Sequence, residues 1–283
     1  MKNLAETFIL NNGVKIPCVG FGTWLAEDGD SCINAVKAAL KCGYRHIDTA
    51  AGYGNEESVG IAIRESGIPR EELFITSKLN NPDHGYEKTK AAFETTMQKL
   101  GCDYLDLYLI HWPNPLPYRD CWEETNAGSW KAMEEFYQEG RIKAIGLSNF
   151  HPHHMEALRK TATVAPMVNQ IRLCPGDINE KIVSYCQEHN ILLEAYSPLG
   201  HGQIFEVPLM QELAEKYQKS IAQICIRFSL QMGFLPLPKS VTESRIEENA
   251  DIFDFSIEDG DMERIKALEG CCGYARNPDE APF

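Results

Sequence analysis

Short apolar runs recur along the chain near 19–22, 45–48, 73–77, 104–110, 142–147, 166–169, 191–196 and 234–237. Amphipathic stretches separate most of them. Residues 31–42 (SCINAVKAALKC) open at Ser31, a favourable helix cap, and stop at Gly43; 86–100 stops at Gly101 and 129–139 at Gly140. Apolar positions three or four apart put one apolar face on a helix. A glycine just past the last turn supplies the left-handed backbone that ends it. Strand, helix, glycine, strand is the βα unit, and its repetition builds a parallel sheet. Two helices are predicted between 196 and 234, and one each over 243–250 and 258–268. At the start, FILNNGVKIP brackets Asn12-Gly13 with apolar residues and predicts a β-hairpin.

Eight βα units with no break in composition predict an α/β fold, a closed (β/α)8 TIM barrel with an N-terminal hairpin and extra C-terminal helices. The whole chain, 1–283, reads as one domain. The rival, a doubly wound open sheet, requires a domain boundary that no linker or low-complexity tract supplies. In a barrel, reactive side chains sit at the C-terminal ends of strands, which gives each candidate an address.

Composition narrows the partners. A net charge of −14 argues against nucleic acid, which needs a basic face. No apolar run has transmembrane length, and the N-terminus does not read as an export signal. Ten cysteines show no C-x-x-C spacing, so free thiols in a cytoplasmic protein are expected. The HPHH stretch places His151, His153 and His154 at the opening of a helix without a carboxylate at ligand spacing, so no metal is predicted.

Several strand ends carry chemistry. GFGTW (20–24) lacks the third glycine of a dinucleotide-binding turn and reads as a strand leaving into a loop, with Trp24 at the barrel mouth. Asp48 ends the second strand, and Tyr53 follows across small residues. Lys78 ends the third strand, one strand from Asp48 and close enough to pair with it. His111 closes the most apolar strand. Ser148 and Asn149, Gln170, and Tyr196 with Ser197 end the next three. Ser148 and Asn149 also suit a helix cap. After the eighth strand, Lys239 and Ser240 with Arg245 on the following helix combine two cations, hydroxyls and free helix N–H groups, an anion site suited to phosphate. Arg172, two residues beyond Gln170, is either a solvated loop residue or a rim cation for an anionic substrate such as a keto acid.

Taken together, VGFGTW, HIDTAAGYGNEE, SKL, LIHWP, GLSNF, NQ, AYSPLG and PKSVTESRIEEN resemble the aldo-keto reductase family in order and spacing, and the chain is similar to its compact microbial members. The resemblance implies a catalytic tetrad of Asp48, Tyr53, Lys78 and His111. Tyr53 is then the proton donor to a carbonyl reduced by hydride transfer, its phenol pKa lowered by Lys78. It also implies NADPH (NADP+) as cofactor. Gly22, Thr23, Ser148, Asn149, Gln170, Tyr196, Ser197 and Leu199 would contact it, as would Lys239, Ser240, Val241, Thr242, Arg245, Glu248 and Asn249. Trp24, Asn80 and Trp112 would line the substrate pocket. The expected partner is a small-molecule carbonyl substrate, with no nucleic acid or membrane, on a monomer. Two departures stand out: Ile171–Gly176 lacks the acidic, His-Pro-aromatic run common after the glutamine, and the short tail after Tyr274 implies an open pocket. The alternative reading is a cofactor-binding regulatory or structural protein on the same fold with little turnover. An unrelated sugar-phosphate barrel leaves Asp48, Tyr53 and Lys78 without a role.

Overall fold

In the computed structural model, which describes all residues from Met1 to Phe283, the chain begins with an antiparallel hairpin of β1 (Thr7–Ile9) and β2 (Lys15–Pro17). Ile9 pairs with Lys15, so the turn spans 10–14 and is longer than an Asn-Gly pair alone needs. Gly13, at φ +87°, takes the left-handed backbone there. The hairpin closes the bottom of the molecule. Asn11 donates to the carbonyls of Pro166 and Asn190, and Asn12 to that of Lys143, each just upstream of a barrel strand.

Eight parallel strands follow, one at each apolar run: β3 (Gly20–Gly22), β4 (His46–Asp48), β5 (Phe74–Leu79), β6 (Leu107–Ile110), β7 (Ile145–Ser148), β8 (Val168–Arg172), β9 (Leu192–Tyr196) and β10 (Leu235–Leu237). They pair in chain order. The Gly22 N–H donates to the Pro238 carbonyl at 3.0 Å and joins first strand to last, giving the predicted barrel. Between the strands run α1 (Asp30–Lys41), α2 (Glu56–Ser66), α3 (Tyr86–Leu100), α4 (Trp122–Gln138), α5 (Pro152–Arg159) and α6 (Glu180–Glu188). The expected pair α7 (Pro208–Tyr217) and α8 (Ile221–Gln231) precedes β10, and α9 (Glu243–Ala250) and α10 (Asp259–Lys266) follow it.

Two helix starts differ from the pattern. Ser31 does not cap α1: the helix begins after Gly29, whose φ of +89° turns the chain and whose N–H donates to Ser58 Oγ at 2.7 Å. Helix α4 starts at Trp122, because the polar turn WEETNAG that precedes the apolar periodicity is helical as well.

The main core lies between strands and helices. Phe93 of α3 stacks on Phe136 of α4 at 4.3 Å between ring centroids and meets Tyr108 of β6 edge-on at 5.3 Å. A second apolar cluster, including Met210, Leu213, Phe228 and Ile265, joins α7, α8 and α10. Inside the barrel Gly20 permits the tightest approach. A Cβ there would lie 2.5 Å from Leu237 and 2.6 Å from the His46 ring.

Candidate active site

Strand register decides which side chains meet. Asp48 pairs with Thr76, so Lys78, two residues further along β5, points to the same inner face. Lys78 in turn pairs with Leu109, which sends His111 inward one step above it. The fully buried Lys78 Nζ donates to Asp48 Oδ1 at 2.7 Å, to the Thr49 carbonyl at 2.9 Å and to Tyr53 Oη at 3.2 Å. Tyr53 reaches that point because Ala51–Tyr53 form one tight turn, with Tyr53 N–H donating to the Ala50 carbonyl. The turn is crowded: a Cβ on Gly52 would stand 2.9 Å from Asn80 Oδ1. The His111 ring lies edge-on to Tyr53 at 5.6 Å.

Burial sets the protonation states. It pulls the Lys78 ammonium down, but Asp48 and Tyr53 more than offset it, and the lysine stays charged. Burial pushes the Tyr53 phenol up, while Lys78 draws it down and Asp48 raises it further; the net direction is upward. That corrects the expectation of a lowered phenol, because desolvation outweighs the neighbouring ammonium. A protonated phenol is still the form a proton donor requires. His111 is held well below the ordinary imidazole range, by burial first and Lys78 second, so it is neutral.

Behind these groups lies a second buried layer. Gln170 Nε2 donates to Asp48 Oδ2 at 2.8 Å and to Glu194 Oε2 at 2.7 Å. Burial and the Asp48 charge push the Glu194 carboxyl up to about 8. His46 bonds Thr76 Oγ1 at 2.9 Å and is neutral, its pKa brought down to about 3 by burial.

A cavity of about 920 Å³ opens at this end of the barrel. Asp48, Tyr53 and His111 face it, with Gly22, Trp24, Asn80 and Trp112 on its wall. Ser148, Asn149, Gln170, Tyr196, Ser197, Leu199 and Lys239 line it too. Asn149 does not cap a helix. At φ +63° its side chain turns inward, donates to the His111 carbonyl at 3.0 Å and accepts from Tyr196 Oη at 2.8 Å. Thr23 stands behind the wall, its hydroxyl donating to the Asp48 carbonyl at 3.0 Å. Ser240, Val241, Thr242, Arg245, Glu248 and Asn249 continue past Lys239 into α9 and do not line the cavity; Asn249 is buried and Arg245 exposed.

This donor set fits a phosphorylated nicotinamide cofactor. Arg245 makes no ion pair although the chain carries a net charge of −14, and the first N–H groups of α9 have no side-chain cap from Thr242. Asn149, Gln170 and Lys239 line the cavity, and Arg245 stands exposed on α9 outside it.

A model of the Aldo/keto reductase family matches residues 18–269. The chain belongs to the aldo/keto reductase family. It is 49% identical over 281 residues to glyoxal reductase of Bacillus subtilis (strain 168), covering 99% of both chains. The fold superimposes on an aldo-keto reductase from a Medee basin deep-sea metagenome library with a TM-score of 0.92, at 42% identity, covering 98% of this chain and 100% of that one. An aldo-keto reductase of the silkworm Bombyx mori, solved in complex with NADP, matches with a TM-score of 0.86 at 35% identity, covering 94% of each chain.

For this aldo/keto reductase the structure revises Arg172. It does line the cavity, as the rim reading placed it, but it is neither solvated nor free. It is buried and donates to Asp177 Oδ2 at 2.5 Å and to the carbonyls of Cys272 and Gly273 at 2.6 and 2.9 Å. Glu194 was not among the candidates, although a lone Glu inside ILLEAY is the signal that marks it. The short tail still reaches the pocket: Tyr274, Arg276 and Phe283 line it, with the Phe283 ring edge-on to Trp112 at 4.9 Å. The pocket is therefore less open than the tail's length implies.

Proposed function

We propose that this aldo/keto reductase reduces small reactive carbonyls, glyoxal-type dicarbonyls foremost, with NADPH as reductant. The observation that carries the reading is the Lys78 ammonium bridging Asp48 and the Tyr53 hydroxyl at the cavity wall. A bound nicotinamide supplies the hydride. The chain's own part is to place and protonate the carbonyl. Tyr53 holds a proton at Oη and gives it to the carbonyl oxygen as charge develops there. Lys78 stabilises the phenolate left behind, and Asp48 fixes Lys78. Neutral His111, beside the phenol, orients the carbonyl without competing as an acid. Asn149 and Gln170 suit the cofactor's carboxamide, Tyr196 offers a flat wall, and Lys239, Ser240 and Arg245 suit its phosphates.

The family supplies the class of reaction, and the relation to glyoxal reductase favours a small dicarbonyl. A holder of cofactor without turnover gains nothing from a buried ammonium beside a phenol. The whole chain, as a single domain, acts as a monomer in this reading. A reducing cytoplasm keeps its ten cysteines free. The test is kcat/KM with NADPH over glyoxal, methylglyoxal, aldoses, keto acids and keto-steroids. The dicarbonyls should rank highest. Absence of NADPH oxidation with every carbonyl would overturn the reading.

A further inference from the structure

The three histidines of HPHH gain in three dimensions the carboxylate they lack in sequence. Asp279, 125 residues beyond His154, folds back onto the start of α5. One ring nitrogen each from His151 and His153 and one Asp279 oxygen lie within 4.8 Å of one another. The Asp279 carboxylate is divided in its contacts. Oδ1 accepts from Asn114 Nδ2 and from His154 Nε2, both at 2.9 Å, while Oδ2 faces His153 Nε2 at 3.2 Å. His154 is wholly buried, and its Nδ1 accepts from the His151 backbone N–H at 3.1 Å. Its proton therefore sits on Nε2, where it orients Asp279.

We propose that His151, His153 and Asp279 form a divalent transition-metal site that latches the C-terminal tail to the barrel. Two imidazoles and one carboxylate suit zinc, nickel or copper better than magnesium or calcium. Ligand atoms about 2 Å from a shared zinc lie roughly 3–4 Å apart, so the three groups need only small side-chain movements. Asn114 and His154 supply the outer hydrogen bonds that orient metal-bound carboxylates. His153 is 54% exposed at the side chain and leaves an entry path. The positive end of α5 opposes a cation, and the Asp279 charge counters it.

The latch bears on the substrate pocket. Asp279 lies between Arg276 and Phe283, both on the pocket wall. The same segment is tied to the 113–121 loop by Leu116 N–H on the Phe283 carbonyl at 2.9 Å and by Arg119 on the Ala281 carbonyl at 2.6 Å. Metal holding Asp279 to α5 restricts how far this wall opens.

The test uses the full chain without a polyhistidine tag. Zinc is titrated against a chromophoric chelator, and hydrogen exchange over 274–283 is followed with and without it. One zinc per chain is expected, with exchange slowed in the tail. His153→Ala and Asp279→Asn should each weaken zinc binding at least tenfold and abolish the slowing. Zinc K-edge absorption should show two imidazole ligands. No saturable zinc binding overturns the proposal. So does equal binding by wild type and His153→Ala, the result if Cys271 and Cys272 were the ligands instead.

Discussion

Asp48 and Glu194 hang from a single donor, the amide nitrogen of Gln170, at 2.8 and 2.7 Å. Two buried acids so close cannot both ionise cheaply, and Asp48 is the one paired with the Lys78 ammonium. Glu194 is left protonated near neutral pH, with its pKa pushed up to about 8.

That arrangement makes stability depend on pH in a stated direction. The Glu194 pKa lies at about 8 in the folded chain against 4.5 for the free carboxyl. Between those values the unfolded chain has lost a proton that the folded chain retains, so stability falls as pH rises. Below the lower value the penalty is absent; above the upper it is complete. Glu194→Gln mimics the neutral acid. Its Tm should equal wild type near pH 4.5 and exceed it near pH 8, measured by calorimetry. Parallel curves across that window would show that Glu194 does not titrate there.

Tyr53→Phe removes one oxygen and keeps the ring. NADPH affinity should be nearly unchanged, while kcat should fall by about 10²–10⁴, the usual share of a general acid. Lys78→Met should also cripple turnover, and the two losses should not add, since both act through one proton-donating unit. A Tyr53→Phe enzyme within a few-fold of wild type would place the donor elsewhere.

Arg245→Ala tests whether Arg245, exposed on α9 beyond the cavity, holds the cofactor's phosphate. A charge-assisted hydrogen bond is worth about 1.5–3 kcal/mol, so NADPH should bind roughly ten- to a hundredfold more weakly. NADH should change little. Fluorescence titration with both cofactors reads the difference, and equal losses would remove Arg245 from this role.

Arg172→Ala addresses the buried pair with Asp177. Leaving Asp177 unpaired should cost about 3–5 kcal/mol. The Cys272 and Gly273 carbonyls lose their donor as well. Denaturant unfolding measures the loss, and the Arg172→Ala/Asp177→Ala double variant should lose less than the sum. KM should rise alike for keto acids and neutral aldehydes. A rise confined to keto acids would mean that Arg172 meets the substrate after all.

The apolar beat carried all eight barrel strands, and the resemblance singled out Asp48, Tyr53, Lys78 and His111, which the fold brings together, because both are written in local order along the chain. Glu194 escaped because it lies in the layer beneath the reacting groups, where a charged residue inside a strand makes sense only once Gln170 and Asp48 stand beside it. Arg172 reads as solvated or free because its pairing with Asp177, five residues on, and with the carbonyls of 272 and 273, a hundred residues on, depends on how these stretches fold together, which no periodicity encodes. The phenol's direction was missed because burial, absent from a sequence, outweighs a neighbouring charge.

The hydrogen bond from Gly22 to Pro238 has a consequence for how the molecule is born. At ~5–20 residues per second, the ribosome delivers the last strand on the order of ten to forty seconds after the first. Throughout that interval the outer edge of β3 has no partner, and an unpaired edge is a template for the wrong one. Two glycines on a three-residue strand offer little for a stray chain to grip. Shortness that weakens the finished seam thus shields the nascent chain from aggregation while it waits.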